Sequence, residues 1–311
     1  MTRDFAIGVM LFMSEKERPV LFSGVATALV TPFRRGTIDI SALRRLLSYQ
    51  SEGEISAVVV LGTTGEASTL TETERDTVTA EAVSALKGKC PVIVGVGSND
   101  TRRAVAFAQR AEELGADGLL AVTPYYNKGT EEGIVQHYFH IADETSLPLL
   151  LYNVPSRTGV DLTLSQYERL AAHPHIVGTK EAKGEIGRLT DLVARFPDGE
   201  MTVYTGNDSE FLPALSVGAE GVISVLSNLF PADMVNAYRL FTAGKNAAAT
   251  LILRHLHTIA RLLFCETNPA PVKAALSILG LIENELRLPM SPVSDALYER
   301  IAEELSTLGA R

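Results

Sequence analysis

Eight times between about residues 25 and 243 the chain repeats one unit: a short apolar, β-branched run followed by 10–15 residues of helical periodicity. The runs are Val25–Val30, Ala57–Leu61, Pro91–Val96, Gly118–Val122, Leu147–Tyr152, Ile176–Lys180, Met201–Thr205 and Gly221–Val225. Helix signals lie between them. Ser41 is expected to open Ala42–Gln50, and Thr71-x-x-Glu74 reads as a capping box. Asp100 and Thr101 open a segment that runs to Leu114 and stops at Gly115. Strands that alternate with helices of this length require parallel pairing with crossover connections. Eight such units predict an α/β fold, the (β/α)8 TIM barrel with a C-terminal helical extension. An open doubly wound sheet is the competitor, but nothing splits the units into two halves.

The division expected is a tail over residues 1–21, a catalytic barrel over 22–243 and a helical region over 244–311. In the last region Ala247–Phe264, Pro271–Leu279 and Val293–Leu308 read as helices, punctuated by Pro269, Pro271, Pro289 and Pro292. A closed barrel has no free edge, so these helices must pack on its outside or on a partner. The apolar stretch Phe5–Met13 is far too short to span a bilayer, and Ser14–Arg18 offers no small-residue cleavage site. It reads as a tail, with Met1 and Met13 the two candidate starts.

A net charge of -9 over 311 residues argues against nucleic acid or an anionic membrane as the main partner. It leaves small anionic substrates open, since these need only local positive charge. Two cysteines, Cys90 and Cys265, cannot build a disulfide framework, and a reducing cytoplasm is the expected setting.

In a parallel barrel the residues that follow each strand meet at one mouth, where catalysis takes place. Strand six delivers Lys180, in a position where an apolar residue is expected; a lysine there must be paired or neutral, or must snorkel to water. Period-two alternation puts Gly178, Lys180 and Ala182 on one face and Val177, Thr179 and Glu181 on the other, with Lys183 the weaker candidate beyond the strand. Strand two is followed by Gly62-Thr63-Thr64-Gly65-Glu66, a turn whose backbone N–H groups suit an anion, carboxylate or phosphate. Strand four is followed by Thr123-Pro124-Tyr125-Tyr126-Asn127. Strand five ends on Tyr152 and leads into Asn153-Val154-Pro155-Ser156-Arg157-Thr158-Gly159, where Arg157 offers a fork for a carboxylate. Gly206 follows strand seven, and Ile223 sits in strand eight. Each of these has an ordinary structural explanation when taken singly; their convergence is harder to dismiss.

No cofactor or metal motif accompanies them. Gly95-Val96-Gly97 begins like a dinucleotide fingerprint but lacks its third glycine, and reads as a tight turn. His137/His140, His173/His175 and His255/His257 are pairs without a third ligand, and most read as surface or capping residues. A lysine, tyrosines, threonines and an arginine without a metal suggest Schiff-base chemistry, in which the neutral amine attacks a ketone and the imine acts as an electron sink. Tyr152 is placed to shuttle protons, with Thr63 and a second tyrosine continuing the relay.

Together these motifs closely resemble the dihydrodipicolinate synthase family, within the pyruvate-dependent class I aldolases that include N-acetylneuraminate lyase. Glu266-Thr267-Asn268-Pro269-Ala270-Pro271-Val272-Lys273 and Arg287-Leu288-Pro289-Met290 fit the same family, so the resemblance spans about residues 22–308. It implies condensation of pyruvate with L-aspartate 4-semialdehyde on the way to diaminopimelate and lysine, with no cofactor. It implies that Lys180 forms the imine, that Tyr152, Thr63 and Tyr126 relay protons, and that Thr64 and Ile223 contact pyruvate near Gly206. Arg157 would hold the second substrate's carboxylate. Tyr126 would reach across a dimer interface within a homotetramer.

The chain also departs from the family. Asn207 stands where many members have Asp. The positions that hold feedback-inhibiting lysine in sensitive members carry Glu72, Arg75 and Arg103, although Asn99 and Tyr125 match. An arginine facing an ammonium is unfavourable, so weak or absent inhibition by L-lysine is expected. Two alternatives stand beside this reading. One is a sibling aldolase acting on N-acetylneuraminate or a 2-keto-3-deoxy sugar acid, which would not generally place an arginine where Arg157 stands. The other is a non-catalytic barrel that binds keto acids.

Overall fold

The computed structural model describes residues 20–310; the tail and its alternative start lie outside them, apart from Val20 and Leu21. Eight parallel strands close into a barrel in sequential order. They are β1 (Gly24–Ala28), β2 (Ala57–Val60), β3 (Val92–Gly95), β4 (Gly118–Val122), β5 (Leu149–Asn153), β6 (Ile176–Glu181), β7 (Thr202–Thr205) and β8 (Gly221–Ser224). β1 pairs with both β2 and β8, which closes the ring and excludes the open sheet. All eight expected strands are present. Period-two alternation sorts their residues: Val25, Val58, Val94 and Leu151 face the helical layer, while Ala26, Val59, Leu150 and Ile223 fill the barrel. Phe22 stacks on Tyr204 at 4.2 Å between ring centroids and accepts the Tyr204 hydroxyl on its carbonyl at 2.7 Å.

The expected helix starts hold, except that one is capped by a different residue. Thr71 and Glu74 form the expected capping box at the start of Glu72–Leu86. Asp100 caps Thr101–Glu113, and Gly115, at φ +84°, takes the left-handed conformation that ends the segment. The cap of Ile40–Glu52 is Asp39 rather than Ser41: the Asp39 carboxylate accepts the Ala42 N–H at 2.9 Å. A carboxylate at this end is also favoured by the helix dipole.

Beyond the barrel lie Asn246–His255, His257–Leu262, Ala270–Ile278 and Asp295–Thr307. The single helix expected over 247–264 is in fact two, joined at Leu256. No proline or glycine marks this break; Leu256 is buried there, as are Ile259, Leu262 and Leu263. Ala270–Leu276 is buried all round. Its Lys273 ammonium lies 2.5 Å from a Glu66 carboxylate oxygen, and the second Glu66 oxygen accepts the Arg287 N–H at 3.1 Å. Burial draws the Lys273 ammonium below its usual range, while Glu66 opposes that shift. A buried ion pair thus fastens the helical region to the turn that follows β2.

Candidate active site

Lys180 is 6 % exposed, on β6. It is paired with Tyr152 on one side and Tyr204 on the other. Its Nζ lies 4.4 Å from the centroid of the Tyr152 ring. Among the described residues no carboxylate lies within ion-pair distance of it. Lys183, by contrast, is taken up by Asp161 at 3.1 Å and Glu185 at 3.3 Å, so it is not a free amine.

Room for the Lys180 side chain depends on Gly206. A Cβ at that position would sit 2.8 Å from Lys180 Cε and 2.7 Å from Ala182 Cβ. Next to it, the buried Asp208 accepts the Val225 and Leu226 amides at 3.0 and 2.9 Å through one oxygen, and its other oxygen has no hydrogen-bond partner among the described residues. Burial raises its pKa, against the pull of Ser224, of the Leu226 and Val225 amides and, least of these, of the nearby Lys180 charge. Sequence reasoning missed Asp208; its place two residues beyond Gly206 was the only signal.

One expectation about β6 fails. Ile176 pairs with Leu149 and Gly178 with Leu150, so Val177 is an extra residue, a β-bulge. It joins the barrel interior rather than the outer face. Thr179 and Glu181 do face outward, where the Tyr167 hydroxyl meets them at 3.3 and 3.2 Å. Asn153 donates to both Glu181 oxygens at 3.1 Å. Burial pushes the Glu181 carboxyl up, against the pull of these donors.

Beside Tyr152, the strand neighbour of Lys180, opens a cavity of about 300 Å³ whose lining includes Thr63, Tyr152, Arg157, Tyr125, Arg75 and Arg103; Lys180, Thr64, Gly206 and Ile223 do not line it. Thr63 and Tyr152 therefore share one chamber with Arg157. In the β2 turn the Gly65 and Glu66 amides donate to the Gly62 and Thr63 carbonyls at 3.1 Å, so the anion nest is smaller than the motif suggests. Thr64 is buried, and its hydroxyl accepts from Asn268 Nδ2 at 2.9 Å. Arg157 donates to the Asn268 carbonyl at 3.2 Å. Asn268, from the helical region, thereby links two candidate binding residues, and its own Oδ1 is buried without a partner. Ile223 is fully buried in the barrel interior, in register with Ala26.

A family model described as the Dihydrodipicolinate synthetase family matches residues 21–308. The chain belongs to this family. It is 44 % identical over 292 residues to the 4-hydroxy-tetrahydrodipicolinate synthase of Thermotoga neapolitana, covering 93 % of this chain and 99 % of that one. It is 45 % identical over 289 residues to the enzyme of the same name from Nitratidesulfovibrio vulgaris, with the same coverage of 93 % and 99 %. The crystal structure of dihydrodipicolinate synthase from Thermotoga maritima superposes with a TM-score of 0.91 at 42 % identity, covering 94 % of this chain and all (100 %) of that one.

Within this dihydrodipicolinate synthetase family chain, two local features bear on the site. Asn207 donates to the Glu210 carboxylate at 2.9 Å, a contact that an aspartate could not make without like-charge repulsion. Tyr126 stands apart from Thr63 and Tyr152: its side chain is 88 % exposed and its φ is +73°, while Tyr125 lines the cavity. The histidines take up local roles, though His137 is buried rather than on the surface, with Nδ1 2.9 Å from the Thr101 hydroxyl. Among the described residues no helix is long and apolar enough to cross a membrane, and no group of three or more His, Cys, Asp or Glu could hold a metal.

Proposed function

We propose that the chain condenses pyruvate with L-aspartate 4-semialdehyde through a Schiff base on Lys180, the 4-hydroxy-tetrahydrodipicolinate synthase reaction. The observation that carries this reading is the Lys180 amine: buried, unpaired by any carboxylate among the described residues and packed on the Tyr152 ring, in a chain of this family.

Lys180 Nζ adds to the pyruvate ketone and water leaves, giving the imine. Tyr152 moves the protons that this exchange requires, and Thr63 and Tyr126 complete the relay. The Thr64 amide and the Ile223 backbone hold pyruvate, and Gly206 keeps the space beside it open. Loss of a methyl proton turns the imine into an enamine, whose carbon attacks the aldehyde. The amine of the second substrate then displaces Lys180, which closes the ring and frees the enzyme. Arg157, steadied by Asn268, holds the carboxylate of the semialdehyde.

The catalytic unit is the barrel of residues 22–243, and the region 244–311 is a structural extension that supplies Asn268. Tyr126 supports a dimer within a homotetramer. A tyrosine with a left-handed backbone and an exposed ring is costly by about 1–3 kcal/mol and gains from burial against a second copy. Two free cysteines fit a cytoplasmic setting.

The test is to supply pyruvate with a panel of aldehydes. Turnover is expected with L-aspartate 4-semialdehyde, and Arg157→Ala should lose activity with that partner. Preferred turnover of a sugar aldehyde would overturn the assignment in favour of a sibling aldolase.

A further inference from the structure

One lobe of the cavity beside Tyr152 is lined by two cations, Arg75 and Arg103, that form no ion pair among the described residues. Arg75 extends from the helix Glu72–Leu86 and Arg103 from the helix Thr101–Glu113. Both guanidinium carbons lie against one ring, 3.9 Å and 5.3 Å from the centroid of Phe107. Arg75 is only 7 % exposed, and its hydrogen bonds go to carbonyls: Gly95 at 2.6 Å and Ala67 at 3.4 Å. Asp100 pairs with Arg102 at 3.8 Å and Asp76 with Arg110 at 3.0 Å, while Asp76 and Glu72 act on Arg75 only through space and more weakly than burial and Arg103. Among the described residues neither arginine has an ion-pair partner.

This arrangement is unfavourable as it stands. Two like charges share a ring, and one of them is largely out of water. Burial, with the Arg103 charge second, draws the Arg75 guanidinium down to about 10. Both residues also lie near the N-terminal end of their helices, where the dipole opposes a cation. The same dipoles that disfavour the arginines favour an anion placed between them. The cavity of about 300 Å³ has room for one, and Ser68, Ser98 and Tyr125 add polar groups to a wall that also includes Leu61, Ala67 and Phe107.

We propose that the Arg75/Arg103 lobe is a binding site for a small oxyanion, a carboxylate or phosphate group held by both guanidiniums against the Phe107 ring. Planar guanidinium forks match either group, so the shared chemistry is a negatively charged trigonal or tetrahedral oxygen cluster. A cationic ligand is excluded by the same charges. Binding does not depend on the catalytic reading and can be measured without turnover.

The experiment is isothermal titration of the full-length protein at low ionic strength with succinate, inorganic phosphate and L-lysine in turn. At least one of the two anions is expected to bind with a dissociation constant below about 1 mM, and L-lysine is expected to give no heat. Arg103→Glu should weaken the anion by at least roughly 10-fold. Arg103 is exposed, so this variant should keep the fold, which circular dichroism checks. Arg157→Ala should leave the affinity unchanged, which separates this lobe from the substrate arm. Whether succinate or phosphate binds tighter identifies the group. The proposal is overturned if neither anion binds below about 10 mM, if Arg103→Glu retains full affinity, or if L-lysine binds more tightly than both.

Discussion

Lys180 and Tyr152 occupy matching positions on β6 and β5, and the amine sits 4.4 Å from the centre of the phenol ring. Adjacent parallel strands present such residues side by side, so the pair is set by strand register and not by a mobile loop. In the proposed reaction these two are the nucleophile and its proton carrier, and held on rigid strands they need little reordering to reach reacting geometry.

Gly206 is the third member of that arrangement. Gly206→Ala would bring a methyl to 2.8 Å from Lys180 Cε, too close without displacing the lysine stem. Pyruvate imine formation in Gly206→Ala should slow by about 10²-fold while the far-ultraviolet circular dichroism stays native. The rate of reductive trapping measures this, and wild-type trapping in the variant would contradict the packing argument.

Asn268 carries the contribution of the helical region to the site. Replacing it with alanine removes the donor to Thr64 at 2.9 Å. It also removes the side chain that fixes the carbonyl bonded by Arg157. A buried hydrogen bond of this kind is worth about 1–2 kcal/mol, so the KM for the semialdehyde should rise roughly 10-fold. Steady-state kinetics with each substrate varied would show it; unchanged constants for both would place Asn268 outside the site.

The buried Lys273–Glu66 pair should matter for stability more when halved than when removed. Lys273→Met leaves the Glu66 carboxylate buried without its cation and should cost about 3–5 kcal/mol. Adding Glu66→Gln should restore much of that loss. Denaturant unfolding of both variants tests the coupling, and additive losses would refute it.

His137 should make the fold acid-sensitive. Burial, the largest cause, holds the imidazole at about 4 instead of 6.5. The folded state then binds its proton only below the pH at which the unfolded chain has already bound one. Stability is therefore full above the unfolded value and falls as pH drops from about 6.5 towards about 4, by about 2 kcal/mol at pH 5. His137→Gln should flatten that part of the stability–pH curve. An identical slope in the variant would assign the acid sensitivity to other groups.

The barrel was legible because its strands are short β-branched runs between capped helices, a pattern that period-two and helical spacing expose directly. Lys180 was legible for the opposite reason, as a charge in an apolar run. What stayed hidden depends on non-local geometry. The bulge at Val177 leaves no trace in alternation, and the break at Leu256 has neither proline nor glycine. Asn268 meets Thr64 across 204 residues and Lys273 meets Glu66 across 207, so no window of sequence shows either contact. Asp208 is an ordinary loop acid until folding buries it beside Lys180.

The most direct measurement is borohydride trapping with pyruvate, read by peptide mass spectrometry. A single reduced pyruvate adduct on the peptide that contains Lys180, absent from Lys180→Ala, is the predicted result. An adduct on Lys183 alone, or no adduct in a folded protein, would contradict the Schiff-base account.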